Sequence, residues 1–78
     1  MDDKTIGIHV TWKLPWRAGQ DGEMRVPKGR RVAEILTLLG EGERTEDILV
    51  VRNQHMCDGT EELLPGDRLI ILPVISGG

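Results

Sequence analysis

The chain has 78 residues, 38% of them hydrophobic and 29% charged, with a formal net charge of −3. That size holds one small domain with no room for a second core, and the balance fits a folded soluble chain rather than a disordered one. The negative charge argues against an obligate nucleic-acid binder, which carries a basic face, and no stretch approaches the roughly 18 apolar residues of a membrane span.

Phe and Tyr are both absent, so the core must come from Ile, Leu, Val and Met, with Trp12 as the largest contributor. The single Cys57 cannot form an internal disulfide, which favours a reducing compartment. The acidic start, Met1-Asp2-Asp3-Lys4, lacks a signal-peptide core. A cytoplasmic protein is expected.

Thr5–Trp12 alternates, with Ile6, Ile8, Val10 and Trp12 on one side and Thr5, Gly7, His9 and Thr11 on the other. This is the pattern of a half-buried strand, and it puts His9 on the solvent face. Pro15, Gly19 and Asp21-Gly22 then mark a connection longer than a tight hairpin loop. Trp16 lies in it, read as a loop aromatic folded back over the strand edge, with an exposed partner anchor as the sharper alternative.

Glu23–Val26 reads as a second strand with Met24 and Val26 inward, ended by Pro27-Lys28-Gly29. Over Arg31–Leu39 the period changes: Val32, Ile35, Leu36 and Leu39 fall at i, i+3, i+4 and i+7, one face of an amphipathic helix. Gly40 is placed to end it as C′. The start is poorer. No Ser, Thr, Asp or Asn stands at the N-cap, and Arg30 and Arg31 sit at the positive end of the dipole, a local cost of about 0.5–1 kcal/mol. Lys28, Arg30 and Arg31 form a solvated basic patch that an acidic partner surface could meet.

Glu41–Asp47 reads as a charged loop. Ile48–Val51 is a continuous apolar run, the mark of a central strand or one covered on both faces. Asn53-Gln54 offers a turn into a short edge strand, His55–Cys57. Asp58-Gly59 and Pro65-Gly66-Asp67 are further turn signals. Arg68–Pro73 is the final strand, again apolar enough to be central. Two strands, a helix and then three strands suggest an α+β fold with one mixed sheet packed on one helix.

Conventional active-site chemistry is thin. His55 could lower the pKa of Cys57 from two residues away, but no third orienting group is evident. One Cys and two His cannot supply paired zinc ligands, so no metal site is expected, and no phosphate-binding glycine motif is present. The tail is the remaining candidate. Val74, Ile75, Ser76, Gly77 and Gly78 follow the last strand and reach at most roughly 17 Å beyond it. Terminal glycines serve no turn; a Gly-Gly end can pass through a channel too narrow for a Cβ and present a bare carboxylate. The plainer alternative is a frayed terminus.

Three features together carry a resemblance: the element order, the Val32-Ala33-Glu34-Ile35-Leu36 helix, and the Gly66-Asp67 turn followed by an apolar strand and a Gly-Gly end. In these the chain resembles the ubiquitin-like β-grasp sulfur carriers, the ThiS and MoaD families of thiamine and molybdopterin biosynthesis. The resemblance implies a β-grasp domain over residues 1–73 with four to five strands and a flexible tail over 74–78. It implies that the first and last strands lie parallel, side by side, at the sheet centre. It implies a carrier, not an enzyme, monomeric alone, with Gly78 as the site of adenylation and thiocarboxylate formation and residues 74–78 entering a partner's active site. The partners implied are a ubiquitin-activating-like adenylating enzyme and a sulfur-accepting synthase, either thiazole synthase or the molybdopterin synthase large subunit. ATP would bind the adenylating partner; the chain itself would hold no cofactor.

The chain departs from the family pattern in its long first hairpin, its Arg-Arg helix start and its single Pro73 where MoaD-like members often have two adjacent prolines. The Ile75-Ser76-Gly77-Gly78 end is also similar to carriers for tRNA thiolation and to prokaryotic protein modifiers. The alternatives are therefore a ubiquitin-like modifier, a tRNA-thiolation carrier, or a plain β-grasp interaction module.

Overall fold

In the computed structural model, residues 4–16 and 21–74 are described. Strands β1 (Thr5–Trp12), β2 (Gly22–Pro27), β3 (Ile48–Arg52), β4 (His55–Met56) and β5 (Arg68–Pro73) form one sheet in the order β2-β1-β5-β3-β4. A single helix, α1 (Val32–Leu38), and a short 3₁₀ helix, Gly42–Asp47, lie between β2 and β3. β1 and β5 are parallel neighbours at the sheet centre, and every other pairing is antiparallel. This is the β-grasp arrangement that the resemblance implies.

The alternation in β1 sets the inner face. Ile6, Ile8, Val10 and Trp12 are all buried, and Val26, Ile48, Val50, Leu69 and Ile71 join them from the other strands. Helix α1 covers that face with Val32, Ile35 and Leu36. Two further core residues, Leu14 and Leu63, are fully buried and lie in segments that look like loops.

The N-terminus of α1 is better satisfied than its sequence implies. Arg31 is the N-cap, so the helix begins at Val32, and no side chain of the Ser or Asp type caps it. Instead, the Val32 N–H donates to the Glu61 carbonyl at 2.9 Å and the Ala33 N–H to the Gly59 carbonyl at 3.0 Å. The loop before β5 therefore supplies acceptors for donors that a helix start leaves open. Glu34 adds the rest. Its carboxylate accepts the Arg31 N–H and pairs with Arg30, both at 3.1 Å, and places negative charge in the first turn. At the other end Gly40 is the C′ residue, with φ of +90°. Its N–H donates to Thr37 O and that of Glu41 to Leu36 O, a complete Schellman motif.

Of the two readings of Ile48–Val51, one holds and one is corrected. The run is an interior strand, paired on both sides, but it is not covered on both faces. Ile48 and Val50 point into the core, while Leu49 is 37% exposed and Val51 half-buried on the outer face. β3 lies one place in from the edge strand β4, and among the described residues no layer covers the outer side of the sheet. The charged stretch after Gly40 is also more ordered than a loop, since Gly42–Asp47 makes the 3₁₀ helix.

Candidate functional site

Where the last strand lets go of the sheet decides where the tail begins. β5 is held on both sides, by β1 through Trp12↔Ile71 and by β3 through Ile48↔Pro73. On the β1 side the last bond runs from the Lys13 N–H to the Ile71 carbonyl, 2.8 Å. The next parallel rung would need an N–H at position 73, and proline has none, so this ladder ends there. On the β3 side one further bond forms, from the Val74 N–H to the Asp47 carbonyl, 2.8 Å. The pairing with β1 thus stops at Pro73, while on the other side the described chain is still bonded at Val74. Ile75, Ser76, Gly77 and Gly78 lie outside the described residues.

The outer face beside this point is apolar. Cross-strand pairing puts Leu49 opposite Leu72 and Val51 opposite Ile70. These four side chains are half-buried or exposed and form a stripe that runs to the exposed Val74. The exposed acidic residue Asp47, whose carbonyl accepts the Val74 N–H, lies at the tail end of the stripe.

At the far end of β5, Asp67 anchors the strand. Gly66 before it has φ of +84°, a turn conformation that favours glycine. Asp67 is only 5% exposed, and its carboxylate accepts three hydrogen bonds: from Arg52 Nε at 2.8 Å, from the Asn53 side-chain amide at 2.9 Å and from the Leu64 N–H at 2.8 Å. Burial alone would raise its pKa; the Leu64 N–H, the Asn53 amide and the Arg52 guanidinium outweigh that and hold it below the usual carboxylate value. Arg52 also pairs with Glu61 at 3.0 Å. This network ties the start of β5 to the end of β3 and to the loop that caps α1, so the strand carrying the tail is fixed at both ends.

The other candidates do not form a catalytic centre. Cys57 is half-buried, and its thiol donates to the Asp58 carbonyl at 3.3 Å. Burial, with the Glu61 carboxylate nearby, pushes its pKa up to about 11. Activation by His55 is therefore not seen: the thiol stays protonated at neutral pH and is a poor nucleophile, an ordinary half-buried cysteine. Trp16 donates its indole N–H to the buried Glu41 at 3.1 Å, so it folds back against the segment after α1 rather than over the strand edge. In the basic patch, Arg30 is paired with Glu34. Among the described residues no cluster of His, Cys, Asp or Glu could hold a metal ion, and no helix is long and apolar enough to cross a membrane.

Residues 17–78 match the family model described as the ThiS family. The chain belongs to the ThiS family. The match spans α1, the Gly66-Asp67 turn, β5 and the Gly-Gly end. No curated protein matches the chain. Among solved structures, this ThiS-family chain is similar to the HVO 2177 protein of Haloferax volcanii, at 20% identity and a TM-score of 0.78, over 100% of this chain and 92% of that one. It is similar to SAMP1 of the same organism, at 22% identity and a TM-score of 0.66, over 92% and 99% of the two chains. It is also similar to the Caldiarchaeum subterraneum ubiquitin, at 15% identity and a TM-score of 0.65, over 95% and 99%. At these identities the likeness establishes the ubiquitin-like fold of the ThiS-family chain.

Asp67, Leu14 and Leu63 are the residues whose roles sequence reasoning missed. For Leu14 a signal existed, since the alternation Ile6, Ile8, Val10, Trp12 continues to it.

Proposed function

We propose that the chain is a sulfur carrier whose Gly78 carboxylate is the working group. The observation that carries this reading is a Gly-Gly sequence end that follows directly on a central strand clamped on both sides, in a chain of the ThiS family. The carboxylate attacks the α-phosphorus of ATP held by an adenylating partner. Pyrophosphate leaves and an acyl adenylate forms. A persulfide on the partner attacks the acyl carbon, AMP leaves, and an acyl disulfide results. A second thiol then attacks the sulfur–sulfur bond, joins the partner sulfur as a disulfide, and leaves a thiocarboxylate on Gly78.

The chain's own contribution is placement. Pro73 ends the strand, Val74 is the last described residue and is bonded to the sheet, and four residues without large polar side chains follow in the sequence. Two glycines at the end let the reacting carbonyl enter a narrow channel. The stripe of Leu49, Val51, Ile70 and Leu72 offers the partner an apolar surface directly beside the arm. The final acceptor under this reading is a cofactor precursor, the thiamine thiazole or molybdopterin.

A second reading is a ubiquitin-like modifier joined through Gly78 to lysine side chains. The structural likeness to an archaeal ubiquitin and to SAMP1 supports keeping it. Both readings need adenylation, and they diverge at the next nucleophile. ATP–pyrophosphate exchange by the adenylating enzyme of the same genome, dependent on this chain and lost on removal of Gly78, tests the shared step. Immunoblots of whole lysate separate the two: a single species supports the carrier, and a ladder of larger conjugates supports the modifier.

A further inference from the structure

The outer face ends, away from the tail, in a shallow cleft of about 480 Å³ whose walls include His9, Thr11, Gln54, Arg68 and Ile70. Two independent features single it out. The first is charge. His9 and Arg68 are register partners across β1 and β5, both exposed. Among the described residues no carboxylate lies within ion-pair distance of either. The nearest acid in the pairing, Glu23, is opposite His9 on β2; it lines a neighbouring groove together with His9 and Arg68 but makes no ion pair with Arg68. The Arg68 guanidinium and the His9 imidazole thus lie side by side on the exposed face of the sheet.

The second feature is backbone strain. Asn53 and Gln54 form the two-residue turn between β3 and β4, with φ of +50° and +74°. Turns of this kind favour Asn followed by Gly. Asn53 has a structural use, since its side chain bonds both the Asp67 carboxylate and the Arg68 N–H. Gln54 has no such bond, yet a long amide stands where glycine would fit without strain, and it lines the cleft. Strained positions of this kind cluster where a side chain serves recognition.

We propose that the cleft receives an acidic side chain, Asp or Glu, of the adenylating partner. The Arg68 guanidinium pairs with the carboxylate, the Gln54 amide donates to it, and Ile70 packs against its methylenes. The identity of the partner rests on the functional reading above; the acidic anchor and its position are additional to it. Charge also sets direction. Asp47 lies at the tail end of the apolar stripe and Arg68 at the other. A partner docked in reverse would set acid against acid, so the pattern points the tail at the active site.

The test uses full-length chain, the adenylating enzyme of the same genome, calorimetric titration without ATP, and pyrophosphate exchange with it. Arg68→Glu is expected to weaken binding by about tenfold or more and to raise KM for the chain with kcat unchanged. Gln54→Gly is expected to raise the melting temperature and still weaken binding severalfold; because it relieves strain, lost affinity cannot be ascribed to unfolding. Wild-type affinity in both variants overturns the proposal, and if the wild-type chain is adenylated the functional reading survives that result. A wild-type chain that binds but is not adenylated sinks the functional reading while the variants still decide the cleft. Absence of any binding overturns both. Inorganic phosphate shifting the His9 and Arg68 amide resonances as strongly as the enzyme does would mark a free-anion site and also overturn it.

Discussion

The carboxylate of Asp67 accepts the Nε–H of Arg52 at 2.8 Å, joining the first turn of β5 to the end of β3 in a site that is almost wholly buried. With Asn53 and the Leu64 N–H it leaves no unsatisfied polar atom there. Asp67→Ala removes one partner and strands a half-buried guanidinium, at a cost of about 3 kcal/mol. Urea denaturation should show a lower midpoint with an unchanged slope.

The same pair gives the fold an acid limb. The folded Asp67 carboxyl titrates below the usual aspartate value. A depressed folded pKa contributes stability that is fully present above the unfolded value and disappears as pH falls through the folded one. Wild-type stability should therefore drop below about pH 4, and Asp67→Asn should show a shallower fall over that range. Denaturation midpoints measured from neutral pH downward check this.

Leu63 is 1% exposed although it precedes a turn, and it sits in the segment whose backbone caps α1. Leu63→Ala should cost about 2–4 kcal/mol, whereas Leu64→Ala, at a position 52% exposed, should cost little. The contrast between adjacent leucines is read by thermal melting.

Cys57 should be chemically quiet. With its pKa raised to about 11, first by burial, the thiol should react slowly with a disulfide reagent at neutral pH and far faster once the chain is unfolded in urea. Cys57→Ser should leave thiocarboxylate formation at Gly78 unchanged.

The strongly patterned parts of this fold were legible in the residues. Alternation from Ile6 to Trp12 placed β1 and its buried face; the i, i+3, i+4, i+7 spacing and Gly40 placed α1 and its end; Pro73 marked the end of β5. What failed depended on contacts distant in sequence. The helix start looked uncapped because its acceptors, the carbonyls of Gly59 and Glu61, come from a loop more than twenty residues later. Asp67 read as a turn residue because its burial is made acceptable by Arg52 and Asn53 across the sheet. Ile48–Val51 looked doubly covered because an apolar outer face beside a tail has the same composition as a buried one. At the site, the order of β5, Pro73 and Gly-Gly was readable, whereas the cleft around Arg68 and Gln54 emerges only once β1, β5 and the β3–β4 turn are brought together.

The central claim is that Gly78 carries sulfur. Its most direct test is the intact mass of the chain, purified without a C-terminal tag after incubation with its adenylating enzyme, ATP and a persulfide source. The account predicts a mass increase equal to the exchange of one oxygen for sulfur, located at Gly78 by fragmentation and abolished when Gly78 is deleted. A chain that is adenylated yet never gains that sulfur, or gains it at any other residue, would contradict it.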